Sequence, residues 1–260
     1  MLASQLYATT DVLPVAGLDR LAEHLPNAWI EQALEATGTA SIRRRRLPAE
    51  QVVWLVIALA IYRRQSMPEV LATLDLALSA ASAQAVSKSA VTQARQRLGA
   101  KPLAQLFDQT ARAWCQQDAE YHAWQGLSLW AMDGTTFRTP DSTNNRAHFG
   151  AQAYASGKVA SYPQVRAVSI TAIPTHLVSD IAFGTYAQNE MLYAKTLVGR
   201  IADHSLTVFD RGFLSAEILL GLTLGGQERH YLIPAKSNTK WEVLSGSADD
   251  CLVRMRVSPQ

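Results

Sequence analysis

Two stretches, Leu127-SLWAMDGTT-Phe137 and Leu206-TVFDRG-Phe213, decide how this chain is read. Each is a short β-rich apolar run that reaches an aspartate just ahead of a glycine. Runs of this length, bounded by turn-forming residues, predict strands at Leu127–Asp133 and Leu206–Asp210. Around them the same criteria predict strands at Arg166–Ile173, Leu177–Phe183 and Arg229–Ile233. Helices are predicted at Asn189–Ala202 and Leu214–Leu222. Three strands in succession form an antiparallel meander, and the two helical crossovers then bring the last two strands parallel to the first.

That element order is the one found in the ribonuclease-H-like fold, where the fourth strand lies beside the first. On this reading Asp133 closes the first strand and Asp210 the fourth, so two carboxylates 77 residues apart meet at neighbouring strand ends. Ligands of open α/β sheets bind there. Two close carboxylates repel unless a cation lies between them, and an all-oxygen donor set suits Mg²⁺ or Mn²⁺ rather than zinc. Two such ions serve an in-line phosphoryl displacement. The competing role for each aspartate is to cap a strand-to-loop turn. Their joint placement favours the metal.

Outward from these strands, residues 1–120 read as an all-α domain and residues 121–260 as an incomplete mixed-sheet domain. Helices are predicted at Gly17–His24, Ala28–Ala36, Pro48–Tyr62, Met67–Leu78 and Ser89–Leu98, then from Pro102 to Gln117. Ser89 is the expected N-cap of the fifth, and Gly99 its stop. Between Ser41 and Lys101 ten Lys/Arg face three acids, although the net charge of the whole chain is only +2. A basic block within a near-neutral chain points to a polyanionic partner.

Composition excludes several classes. Hydrophobic residues make up 48% and charged residues 18%, which suits packed cores rather than disorder. Two distant cysteines, Cys115 and Cys251, support neither a disulfide framework nor a zinc knuckle. The first residues lack the basic start and apolar core of a signal peptide, and the longest apolar run, Val52–Tyr62, is too short to span a bilayer. A cytoplasmic protein is expected. GAQAYASGKV, residues 150–159, is not a P-loop, and HExxH and GxSxG are absent.

Four ordered blocks carry a resemblance to a known family. They are EQALEATGTASIRRRRLPAEQVVWLVIALAIYRRQSMPEV at 31–70, KSAVTQARQRLGAKPLAQLF at 88–107, AMDGTTFRTPDSTNNRAHFG at 131–150 and TVFDRGFLSAEILL at 207–220. From Leu13 to Pro234 the chain resembles the insertion-element-four family of bacterial DDE transposases. The resemblance implies a transposase of an insertion sequence, performing metal-dependent DNA cleavage and strand transfer. It implies that Asp133 and Asp210 are the first two members of the D-D-E triad, with two Mg²⁺ or Mn²⁺ ions. It also implies a helical domain that reads element ends, double-stranded DNA as partner, and a homodimer in a synaptic complex. The third carboxylate is expected on a later helix, in a Y-x₂-R-x₃-E-x₆-K pattern after a β-rich insertion. No such pattern follows Asp210. Glu217, Glu228 and Glu242 are wrongly placed, and residues 231–260 look like the start of the insertion. The chain is therefore expected to be C-terminally truncated. The alternative is a non-catalytic DNA-binding product that inhibits full-length transposase, or an inactive gene fragment.

Further residues have two roles open to them. Arg43, Arg44, Arg45 and Arg46 either neutralise phosphates or form a solvated turn. Lys88, Thr92, Gln93, Arg95, Gln96 and Arg97 are groove-competent residues on a predicted recognition helix, whose Val91, Ala94 and Leu98 equally suit a core-packed amphipathic helix. Thr135, Thr136, Arg138 and Asp141 are expected in a loop after the first strand, positioning phosphate or serving the loop alone. Arg211 either binds phosphate or pairs with an acid. Trp54 is expected in the core, and Trp241 in core or turn packing rather than as a base-stacking wedge.

Overall fold

The computed structural model describes residues 16–40, 47–77, 87–119, 122–153, 157–247 and 249–255. The chain forms two compact units, residues 1–110 and 111–260. Among the described residues no helix is long and apolar enough to cross a membrane.

The first unit is helical: α1 (Ala16–His24), α2 (Asn27–Ala36), α3 (Ala49–Ile61), α4 (Met67–Ala77), α5 (Lys88–Leu98) and the start of α6 (Lys101–Ala119). Its centre is α3, in which Val52, Val53, Trp54, Leu55 and Ala58 are all buried. A helix so apolar around its circumference must be covered on several sides, and α2, α4 and α5 all contact it. Trp54 is a core residue, as its neighbours in sequence suggest. Helix α5 docks through Val91, Ala94 and Leu98, spaced to share one stripe. Its N-cap is Ser87, not Ser89: the Ser87 hydroxyl accepts from Ala90 N at 3.3 Å, while Ser89 falls one residue inside the helix. Gly99 ends α5 at φ +67° and ψ −168°, a region essentially reserved for glycine that costs a side-chain-bearing residue about 1–3 kcal/mol.

The second unit is built on a five-stranded sheet of order β3-β2-β1-β4-β5. The strands are β1 (Ser128–Arg138), β2 (Gln164–Ala172), β3 (Val178–Thr185), β4 (Ser205–Phe209) and β5 (Arg229–Leu232). A short helix α7 (Thr143–Phe149) follows β1, α8 (Glu190–Leu197) joins β3 to β4, and α9 (Ala216–Leu224) joins β4 to β5. β1 runs antiparallel to β2 and parallel to β4, and β4 runs parallel to β5. The ribonuclease-H-like arrangement is thus present. One face of the sheet forms the core, where Trp130, Met132, Val168, Ile170 and Phe209 meet Tyr193, Ala194 and Leu197 of α8 and Ile218 and Leu222 of α9.

Three expectations need correction. β1 does not end at Asp133: its pairing with β2 continues to Arg138↔Gln164, because Thr135, Thr136 and Phe137 are good strand formers. Thr135, Thr136 and Arg138 therefore lie on a strand, not in a loop. The segment after β1 holds the helix α7, whose signals were Ser142, accepting from Asn145 N at 3.2 Å, and the stop at Gly150. Trp241 is exposed rather than packed, on β6 (Trp241–Gly246), which pairs antiparallel with β7 (Cys251–Met255). The β character expected of this tail is present.

Candidate active site

Alternation along β1 explains where Asp133 points. Trp130 and Met132 are buried in the core, so Ala131 and Asp133 leave by the opposite face. In β4 the buried Phe209 is the last residue paired with β1, opposite Met132, and Asp210 follows it. The two aspartates thus each follow the last pair of a parallel register whose strands lie about 4.8 Å apart. Both are exposed.

Neighbouring backbone holds each carboxylate. Gly134 N donates to Asp133 Oδ1 at 2.7 Å. Asp210 accepts from Arg211 N at 2.8 Å and Gly212 N at 3.4 Å, capping a 3-10 turn at Arg211–Phe213. The capping role and the metal role are therefore compatible at Asp210. Phe213, next in the turn, packs against Phe209 with ring centroids 6.2 Å apart, anchoring the turn to the core. Exposed carboxylate oxygens on adjacent strands suit a hard divalent cation, which needs only one or two protein carboxylates beside water and phosphate oxygens. Among the described residues no group of three His, Cys, Asp or Glu side chains is placed to hold a metal. The residues present thus fit part of a metal site.

Glu190, which sequence reasoning passed over, lies close by. A Cβ at Gly134 would collide with the Glu190 carboxylate at the start of α8, so glycine after Asp133 permits this approach. No motif announces Glu190. The other acids are engaged elsewhere: Glu217 pairs with Lys195 at 2.5 Å, Glu228 with His204 Nδ1 at 2.7 Å, and Glu242 lies on β6.

Asp141 is engaged within its own connection. It pairs with Arg146 at 2.5 and 2.9 Å, and Arg146 also donates to the Ser161 carbonyl at 2.7 Å. The hydrogen bonds from Arg146 hold the Asp141 carboxyl below its ordinary range. The pair clamps the connection from β1 to β2.

Lys88, Thr92, Gln93, Arg95, Gln96 and Arg97 are all exposed on α5, opposite its buried stripe. Arg138 and Arg211 are exposed, and neither has an ion pair among the described residues. Arg43, Arg44, Arg45 and Arg46 lie outside the described residues.

A sheet of ribonuclease-H-like order with an aspartate after each of two adjacent parallel strands defines a fold class, and a fold alone does not assign an activity. The chain's relatives narrow it. Residues 15–108 match the family model for the insertion element 4 transposase N-terminal region, and residues 124–259 match the transposase DDE domain. The chain is 36% identical over 244 residues to transposase InsG for insertion sequence element IS4, from Escherichia coli. That alignment covers 94% of this chain and 54% of the relative. It is 35% identical over 237 residues to putative transposase InsZ from the same species, covering 90% of this chain and 77% of the relative. The chain belongs to the insertion element 4 family of DDE transposases.

Proposed function

We propose that this chain carries the DNA-recognition helices and the carboxylate-bearing sheet of an insertion-sequence transposase, which cuts and joins DNA strands with Mg²⁺ or Mn²⁺. The observation that carries this reading is that Asp133 and Asp210 each directly follow the last β1–β4 pair, Met132↔Phe209, whose side chains are buried in the core, and that both aspartates are exposed. The names of the two relatives favour this reading over a non-catalytic DNA-binding product.

Divalent ions held by the two aspartates supply Lewis-acid activation of an attacking oxygen and charge neutralisation at a leaving oxygen. The chain's own residues fix the geometry. Gly134 N orients the Asp133 carboxylate, and the amides of Arg211 and Gly212 orient that of Asp210. Arg211, exposed beside Asp210, is a phosphate contact suited to the strand being cut. In the first unit α5 presents Arg95 and Arg97 with Thr92, Gln93 and Gln96 to the groove of double-stranded element ends, and Lys88 to the backbone. Arg43–Arg46 add phosphate contacts. Joining two ends to a target calls for two copies of the chain in a synaptic complex. Such a protein works in the bacterial cytoplasm, on DNA.

The test is transposition in cells. The intact gene encoding this chain is supplied in trans to a marked element bearing its ends. Asp133→Asn and Asp210→Asn should each abolish movement while leaving protein abundance unchanged. Movement at the parental frequency in either variant, or none with the parental gene, refutes the reading.

A further inference from the structure

The far end of the β1–β2 hairpin carries a pair of arginines that the aspartate site does not use. Arg138 is the last residue of β1, opposite Gln164, and Arg166 lies on β2 opposite Thr136. Opposed residues, and residues two apart on one strand, share a face, so the two guanidinium groups leave the hairpin on one side as diagonal neighbours. Each lies over a tyrosine ring: Arg138 Cζ is 4.2 Å from the centroid of Tyr162, and Arg166 Cζ is 4.3 Å from that of Tyr186.

Neither arginine has an ion pair among the described residues, whereas Arg146, Arg200, Arg229 and Arg254 each have one. Arg166 gives one N–H to the Gln188 carbonyl at 3.0 Å, and a guanidinium has five to give. From Thr135 to Arg166 the chain holds four Lys/Arg and a single acid, Asp141, already paired with Arg146. Within this stretch no acid pairs with either guanidinium. Covering two tyrosine rings does not require charge, since an aliphatic chain would do as well.

Stacking on a ring settles the long side chain before a ligand arrives, so less freedom is lost on binding. A guanidinium so held offers its fork to phosphate oxygens. Two forks at a diagonal strand spacing of about 7–8 Å suit an extended polyanion better than a single ion. Arg166 is level with Thr136, three residues beyond Asp133, and Arg138 is five beyond; by alternation both arginines lie on the Met132 face of β1, opposite the face of Asp133. At about 3.4 Å per residue these positions lie about 10 and 17 Å along β1 from the aspartate.

We propose that Arg138 and Arg166, each held by a tyrosine, form a clamp for two phosphates of one DNA strand. This rests on the reading of the chain as a DNA-cutting transposase, and it adds a duplex contact on the sheet face opposite Asp133.

The test uses the full 260-residue chain and a 30-base-pair duplex of arbitrary sequence, titrated between about 50 and 200 mM salt. Phosphate contacts are indifferent to sequence, and each contributes about 0.9 to the slope of log K against log salt. Replacing both arginines, R138Q with R166Q, should lower that slope by about 1.8 and weaken binding at least tenfold at the lowest salt. R138K with R166K keeps both charges and should keep the parental slope. Y162L with Y186L frees the arginines and should weaken binding about threefold with the slope retained. An unchanged slope in the Gln pair, or a lost slope in the Lys pair, overturns the clamp. If R95A with R97A still lowers the slope in that case, the DNA-binding reading survives without the clamp. If the parental chain shows no salt-dependent binding, both fall.

Discussion

Asp210 has two functions on the reading given above, and two substitutions separate them. Its carboxylate caps the 3-10 turn through Arg211 N and Gly212 N, and it follows Phe209, whose partner on β1 directly precedes Asp133. Asparagine keeps an acceptor oxygen and caps about as well as aspartate, whereas alanine forfeits the cap at about 1 kcal/mol. Relief of repulsion from Asp133 is common to both substitutions and cancels between them. In metal-free buffer Asp210→Ala should therefore melt about 2–4 °C below Asp210→Asn, the shift expected for about 1 kcal/mol in a unit of about 150 residues. Metal behaves differently. For a site with a dissociation constant on the order of 1 mM, about 10 mM Mn²⁺ stabilises the folded state by about 1.4 kcal/mol, again a few degrees. The parental chain should show this rise, and both variants should lack it. Scanning calorimetry with and without Mn²⁺ reads all six combinations. A Mn²⁺-dependent rise that persists in Asp210→Asn would refute the metal assignment. Equal melting of the two variants without metal would refute the capping role.

Three further predictions follow from residues outside the carboxylate pair. Thr207 is fully buried in β4 and its hydroxyl has no hydrogen-bond partner, so Thr207→Val should be neutral or stabilising by up to about 1 kcal/mol in urea unfolding; a loss of more than that shows the hydroxyl is satisfied. Arg95→Ala with Arg97→Ala, both exposed on α5, should flatten the salt dependence of duplex binding by about 1.8 without lowering the melting temperature, and an unaltered slope removes α5 from the DNA interface. The Asp203 carboxyl is held below its ordinary range, first by Gln227 N–H and also by Arg229, so its contribution to stability is complete above the unfolded carboxylate range and is lost as pH falls through its lower folded value. Asp203→Asn should accordingly make the acid side of the stability profile shallower, and profiles of the same shape remove Asp203 as a source of the acid loss.

Much of the fold was legible because strong local signals agreed with the long-range solution. Apolar runs of strand length, crossovers of helical length and an aspartate at each of two strands leave few alternatives once crossovers are right-handed. Helix α5 was equally open: Val91, Ala94 and Leu98 are buried, and the six polar residues named with them are exposed. What could not be read depends on partners brought from far along the chain. The length of β1 is one case, since residues 134–138 stay extended by pairing with residues 164–168. The capture of Asp141 by Arg146 is another, because their spacing of five residues suits neither a helix face nor a strand face and depends on α7 intervening. The two arginine–tyrosine stacks join positions 20 or more residues apart with no periodicity to mark them.

The unequal lengths of the strands beside β1 give the site its shape. β2 accompanies β1 to Arg138, but β4 stops at Phe209, so from Asp133 onward β1 is paired within the sheet on one edge only. The chain leaves β4 at Asp210 through a tight turn whose amides are satisfied by the aspartate itself. The unpaired edge of β1 beyond Met132 leaves a notch in the sheet, flanked in sequence by both aspartates. Apolar side chains at these exposed positions would be poorly covered, whereas carboxylates are well solvated there. The same extension carries Arg138 away from the carboxylates along the hairpin, separating positive from negative by about 17 Å at about 3.4 Å per residue. On this argument, lengthening β4 by pairing across the notch would abolish the site without altering a single carboxylate.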